Sequence, residues 1–107
     1  MEIFCERFVK HHLPAVRSMI AKRLLERHEL TQNEAAKKMK TSQPAISHYI
    51  REARGKKVKE LESNEELVKK IDEVVEKIYK ENIDDKEFER LFCEICKLIL
   101  GDPPCSG

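Results

Sequence analysis

Glycine is scarce in this chain, with Gly55, Gly101 and Gly107 its whole supply, so no glycine-rich loop of the kind that cradles phosphate groups can be built. No run of about 18 apolar residues is available to cross a membrane, and the opening MEIFCERFVK lacks the apolar stretch and cleavage site of a signal peptide. A cytoplasmic location is therefore expected. Convincing strand patterns are missing too, which argues against a thiol-disulfide enzyme, whose Cys pair normally opens a helix after a strand. Glutamine occurs only at Gln32 and Gln43, while Lys and Glu far outnumber Arg and Asp. That bias fits a high-temperature origin.

What the chain has instead is charge. At 107 residues it can bury one modest core, and 38% of it is Asp, Glu, Lys or Arg, against roughly 25% in ordinary globular domains. The net charge of +1 hides an uneven spread: residues 1–30 carry +2, residues 31–60 carry +5 and residues 61–107 carry −6. A basic middle followed by an acidic end suggests that the middle meets a polyanion. The plainer reading is a set of solvated helix surfaces.

Leu13, Val16, Ile20, Leu24 and Leu25 recur at helical spacing, and Pro14 suits a first turn, so residues 14–28 should form a helix. Residues 3–12 are left open between a helix, an arm and a short strand. Thr31 followed by Glu34 matches a capping box, whose cap alone contributes about 1 kcal/mol, and predicts a short helix over 32–39. Ser42 or Thr41 can cap the next, over 43–53, with Pro44 tolerable in its first turn and an end near Gly55. The three or four residues between these helices force a steep crossing, to be filled by Ala35, Ala36, Met39, Ala45, Ile46 and Tyr49.

Those residues carry a resemblance. LTQNEAAKKM and SQPAISHYI resemble the two helices of the phage-repressor, Xre-like helix-turn-helix, over about 25 residues within a domain of roughly 50. Two positions depart from that pattern: Lys40 stands where Gly usually supplies a left-handed residue, at a cost on the order of 1 kcal/mol, and Thr41 stands where an apolar residue is commoner. The resemblance implies sequence-specific binding to double-stranded DNA by a homodimer, whose half-sites lie about 34 Å apart. The implied DNA-facing set is Gln32, Ser42, Gln43, Pro44, Ser47, His48, Arg51 and Arg54. Within it, Gln43 can pair with adenine, Arg51 with guanine or phosphate, and Ser47 and His48 with base or backbone, while by resemblance Gln32 clamps a phosphate. Lys37, Lys38, Lys56 and Lys57 join Arg54 in supplying sequence-independent attraction. The plainer readings make Gln43 a simple cap, His48 a surface histidine and the lysines solvated charges.

In the last third, Ser63 and Glu66 form a second capping-box pattern before the stripe Leu67, Ile71, Val74, Val75 and Ile78. Asp84 and Glu87 can start a final helix with the stripe Phe88, Leu91, Phe92, Ile95, Leu98 and Ile99, ended by Gly101-Asp102-Pro103-Pro104. Neither helix has a basic face, so the two should complete the core or pair subunits. Cys93 and Cys96 share one side of the final helix. With Cys5 and Cys105 they make four thiolates, the number a tetrahedral zinc or an iron-sulfur cluster takes. The alternative is a buried Cys96 with three incidental thiols, with disulfides as a variant. Over nearly its full length the chain also resembles small archaeal predicted regulators with an early Cys, an LPAVR-like first helix, the helix-turn-helix and a closing C-x-x-C-K segment followed by a further Cys. That resemblance implies a Cys-ligated site able to sense redox or iron state if it holds a cluster, or to staple the chain ends if it holds zinc.

The expected fold is thus all-α, of five or so helices, with a helix-turn-helix domain over 1–58 and a helical segment over 59–107 for dimerisation and the Cys site. The expected function is DNA-binding transcriptional regulation rather than catalysis. A helical protein-binding adaptor and a thiol redox protein are the alternatives. Adjacent His11 and His12 point about 100° apart on a helix and are expected to be surface histidines.

Overall fold

The computed structural model describes Lys10 and residues 12–100, and these form six helices and no strand. They are α1 (Leu13–Arg27), α2 (Gln32–Lys38), α3 (Gln43–Glu52), α4 (Lys56–Glu62), α5 (Glu65–Lys80) and α6 (Asp85–Leu100). The fold is all-α, as the sequence pattern requires. Expectations for residues 1–9, His11 and the Gly101-Pro104 turn lie outside the described residues.

α1 runs through the centre and packs against α3, α4, α5 and, more lightly, α2. Its predicted stripe is buried at Leu13, Val16, Ile20 and Leu24, yet Ala15, Met19 and Ala21 are buried too, so α1 is covered on more than one side. Leu25 is only half-buried. Burying a side chain such as Met19 or Leu24 stabilises by about 1.5–3 kcal/mol each. His12, expected on the surface, is half-buried at the start of α1.

A continuous apolar cluster joins Leu13 of α1, Ala35 and Ala36 of α2, Ile46 of α3, Val58 of α4, Ile71 of α5 and Phe92 of α6. The boundary expected at residues 58/59 falls inside α4.

α4 itself is absent from the sequence expectations. Only Val58 and Leu61 of its residues are buried, too short a stripe to show a helical period. Its N-cap is Gly55, which offers no side-chain cap. A Cβ at Gly55 would lie 3.0 Å from the Glu52 carbonyl oxygen, so the close turn from α3 to α4 favours glycine. Further along, the cap of α5 is Asn64 rather than Ser63: Asn64 Oδ1 accepts from Leu67 N at 3.2 Å. Ser63 Oγ instead donates to the Glu60 carbonyl at 2.6 Å, closing the end of α4. The expected cap is thus displaced by one residue, because Ser63 closes α4.

The stripe of α5 is buried as expected. In α6, Leu91, Phe92 and Ile95 are buried, Phe88 and Ile99 are half-buried, and Leu98 is exposed. Asp84 Oδ1 accepts from Glu87 N at 2.8 Å, giving α6 the predicted start. Polar groups stitch the α1–α5 seam: Arg23 Nε donates to Asp72 at 3.0 Å, Arg27 Nη1 meets the same carboxylate at 2.9 Å, and His28 Nε2 lies 2.7 Å from Glu76. The His28 ring also stacks on Tyr79 at 3.8 Å.

Candidate nucleic-acid interface

The two short helices are built as their caps dictate. Thr31 Oγ1 accepts from Glu34 N at 3.1 Å while Thr31 N donates to Glu34 Oε1 at 2.8 Å, a complete capping box. At the other end of α2, Lys40 N donates to Lys37 O and Thr41 N to Ala36 O. These two bonds form a Schellman motif, which needs a left-handed residue between helix and exit. Lys40 takes that role at φ 57°, the position where the sequence lacks the usual glycine. Ser42 Oγ then accepts from Ala45 N at 3.3 Å and starts α3, with Pro44 in its first turn.

The turn sets α3 across α2 with Ala35, Ala36, Met39 and Ile46 buried and Ala45 and Tyr49 half-buried. Arg17 Nη1 donates to Tyr49 Oη at 3.4 Å and braces α3 against α1, a link the sequence pattern does not reveal. At 100° per residue, Gln43, Pro44, Ser47, His48 and Arg51 fall within an arc of about 140°, opposite Ala45, Ile46, Tyr49 and Ile50. Ser42, Gln43, Pro44, His48, Arg51 and Arg54 are exposed and Ser47 half-buried. Gln32, half-buried at the start of α2, accepts a hydrogen bond from Gln43 Nε2. Both glutamines of the chain therefore meet at one spot, and Gln43 is held by a partner rather than projecting alone.

The charges divide sharply. Among the described residues, no ion pair involves Lys37, Arg51, Arg54, Lys56 or Lys59. Lys59 is an exposed cation on α4 that joins this group without having been singled out in the sequence. Two of the expected cations are drawn elsewhere: Lys38 Nζ donates to the Tyr79 carbonyl at 2.9 Å, and Lys57 lies 3.9 Å from Glu60. In the acidic α5–α6 pair four of the cations lie against carboxylates of the same two helices. Lys70 pairs with Glu94, Lys77 lies 3.6 Å from Glu87, and Arg90 bonds both Glu87 and Glu94. Accordingly the carboxyls of Glu94 and Glu87 sit below the ordinary range, chiefly through hydrogen bonds from Lys70 and Arg90 respectively. The His28 hydrogen bond does the same to Glu76.

Of the expected thiolate set, Cys96 is fully buried and Cys93 half-buried, one turn apart on α6. Cys5 and Cys105 lie outside the described residues. Two soft donors at this spacing can serve one metal or cluster and supply half of a four-ligand set, and no group of three or more His, Cys, Asp or Glu placed to hold a metal ion occurs among the described residues. Among those residues no helix is long and apolar enough to cross a membrane.

No family model, curated protein or solved structure matches the chain.

Proposed function

We propose that the chain is a sequence-specific DNA-binding transcriptional regulator of the helix-turn-helix kind, acting in the cytoplasm as a homodimer. The observation that carries this reading is the outward arc of α3. It is a row of hydrogen-bonding side chains, exposed over a tightly packed inner face and flanked by cations that no carboxylate neutralises. A helix of this width fits the major groove of duplex DNA. Gln43 would read adenine, Arg51 guanine or phosphate, and Ser47 and His48 bases or backbone. Gln32, through its bond to Gln43, would fix that side chain's orientation and reach a phosphate itself. Ser42 and Pro44 set the angle at which the helix enters, and Arg54, Lys56 and Lys59 add attraction to the backbone.

The acidic α5–α6 pair supports a division of labour. Its cations Lys70, Lys77, Lys80 and Arg90 are engaged by its own carboxylates, its apolar stripes are largely buried in the shared core, and it offers DNA no basic face. Cys93 and Cys96 are proposed to join Cys5 and Cys105 in holding zinc or an iron-sulfur cluster, which would tie the chain ends to α6. Metal and sulfide analysis of protein purified without oxygen tests that ligand set.

The DNA-binding reading predicts that Gln43→Ala combined with Arg51→Ala abolishes preference for a selected duplex. Each lost bidentate contact should reduce discrimination by about 1–3 kcal/mol, with salt-dependent background binding retained. Competition between selected and scrambled duplexes measures this, and full preference in the double variant would assign recognition to another surface. A protein-binding adaptor would show no salt-dependent affinity for DNA at all.

A further inference from the structure

A cleft of about 230 Å3 lies where α6 meets α1 and the α2–α3 turn, and the DNA-binding reading makes no use of it. Its floor is apolar, made by half-buried Phe88 with Met39 and Phe92, both almost wholly buried, the two phenyl rings lying 5.0 Å apart. Two cations line it from the helix-turn-helix side, Arg17 and Lys40, and two carboxylates line it from α6, Asp85 and Glu89. A smaller recess of about 60 Å3 shares this floor and adds the hydroxyl-bearing Thr41 and Tyr49.

Charges of both signs line this cleft beside an apolar floor, and Lys40 and Asp85 already lie 3.5 Å apart, which restricts what can bind. An apolar molecule would cover those charges without satisfying them, which is costly. A simple anion would face two carboxylates, and a simple cation would face Arg17 and Lys40. A molecule carrying both charges and an apolar substituent meets every wall. The volume is below the range of about 300–1,000 Å3 usual for drug-sized ligands, so the ligand is small. Arg17 gives one N–H to Tyr49 and keeps further donors on the same guanidinium. Lys40 lies 3.5 Å from Asp85 in an exposed pair, which is weak enough for a ligand to open.

We infer that this cleft binds a small zwitterion with an apolar side chain, of the α-amino acid class. The carboxylate is taken by Arg17 and Lys40, the ammonium by Asp85 and Glu89, and the side chain by the Phe88, Phe92 and Met39 floor. Lys40 and Thr41 belong to the turn that aims α3, so such a ligand acts as an effector of DNA affinity, a role that rests on the proposed function.

Calorimetric titration of the full chain without DNA decides the binding claim. L-Leucine and L-phenylalanine are compared with 3-methylbutylamine and 2-phenylethylamine, which lack the carboxylate, and with 4-methylpentanoate and 3-phenylpropanoate, which lack the ammonium. Saturable binding of at least one amino acid is expected, weakened about tenfold or more by loss of either charge, since charge-assisted hydrogen bonds are the strong ones. The same loss is expected in Arg17→Gln and in Glu89→Gln, with helix content checked by circular dichroism. Absence of saturable binding for both amino acids, or equal binding of the singly charged analogues, overturns the assignment. Duplex affinity is then measured with and without the amino acid. A several-fold change supports the effector role, and an unchanged affinity removes it. Should the chain bind no DNA, the proposed function and the effector role fail together, while the calorimetry still decides the cleft.

Discussion

The middle of the chain and its last third are both rich in charge and use it differently. In α5 and α6, Lys70, Lys77, Lys80 and Arg90 find an acid, as Lys70–Glu94, Lys77–Glu87 and Lys80–Glu76 illustrate. From α3 into α4, Arg51, Arg54, Lys56 and Lys59 face outward with no ion pair among the described residues. The lesson is that net charge of a segment matters less than whether its charges are already spent on one another. Exposed pairs add little stability, about 0–1 kcal/mol each, so the α5–α6 network serves mainly to engage the cations of a segment that stays net acidic. The unmatched cations are what a polyanion would meet.

The sharpest way to break the comparison is through the core the two regions share. Phe92 of α6 is buried in the same cluster as Ile46 of α3, and Phe92→Ala should cost about 3–5 kcal/mol. Denaturant unfolding should show one cooperative transition at a lower midpoint, whereas two separated transitions would mean that the halves fold independently. A smaller effect is expected from the cations. Arg51→Ala with Arg54→Ala should lessen the slope of log affinity against log salt by about 0.9 per phosphate contact removed. Lys77→Ala with Lys80→Ala, in the matched region, should leave the slope unchanged.

Lys40→Gly sharpens the contrast at the turn. The left-handed conformation at φ 57° penalises a residue with a Cβ by roughly 1–2 kcal/mol, so thermal unfolding of the variant should shift upward by a gain of about 1 kcal/mol, reduced slightly by loss of the exposed Asp85 pair. The smallest effect concerns pH. Glu94, Glu87 and Glu76 all sit below their ordinary value of 4.5, so the stability they contribute is present above that value and declines as pH falls through their lower folded values. Unfolding midpoints followed from about pH 6 to about pH 3 should fall, and Glu94→Gln should flatten the decline.

Much of this was legible in the sequence because local chemistry settled it. The Thr31–Glu34 box, the Ser42 cap and the alternation of small and apolar residues from Ala35 to Tyr49 specify two crossed helices without help from distant contacts. The left-handed Lys40 could be placed for the same reason, since the turn between such helices leaves one residue with that geometry. α4 was not legible, because seven residues with two buried apolar positions and a glycine start leave no periodic signal. The burial of α1 on several sides, the Arg17–Tyr49 brace and the pairing of Gln32 with Gln43 depend on contacts between residues far apart in sequence. The amphipathic cleft beside the turn belongs to the same class, because Arg17, Lys40 and Glu89 converge only once α6 has folded back.

The central claim is that the unmatched cations around α3 meet a nucleic-acid backbone while the exposed arc reads bases. Its most direct test is the affinity of the wild-type chain for duplex DNA, measured by fluorescence anisotropy across a series of salt concentrations. Log affinity should fall linearly with log salt, with a slope of several units as counterions are released. Absence of binding at low salt, or an affinity indifferent to salt, would contradict it.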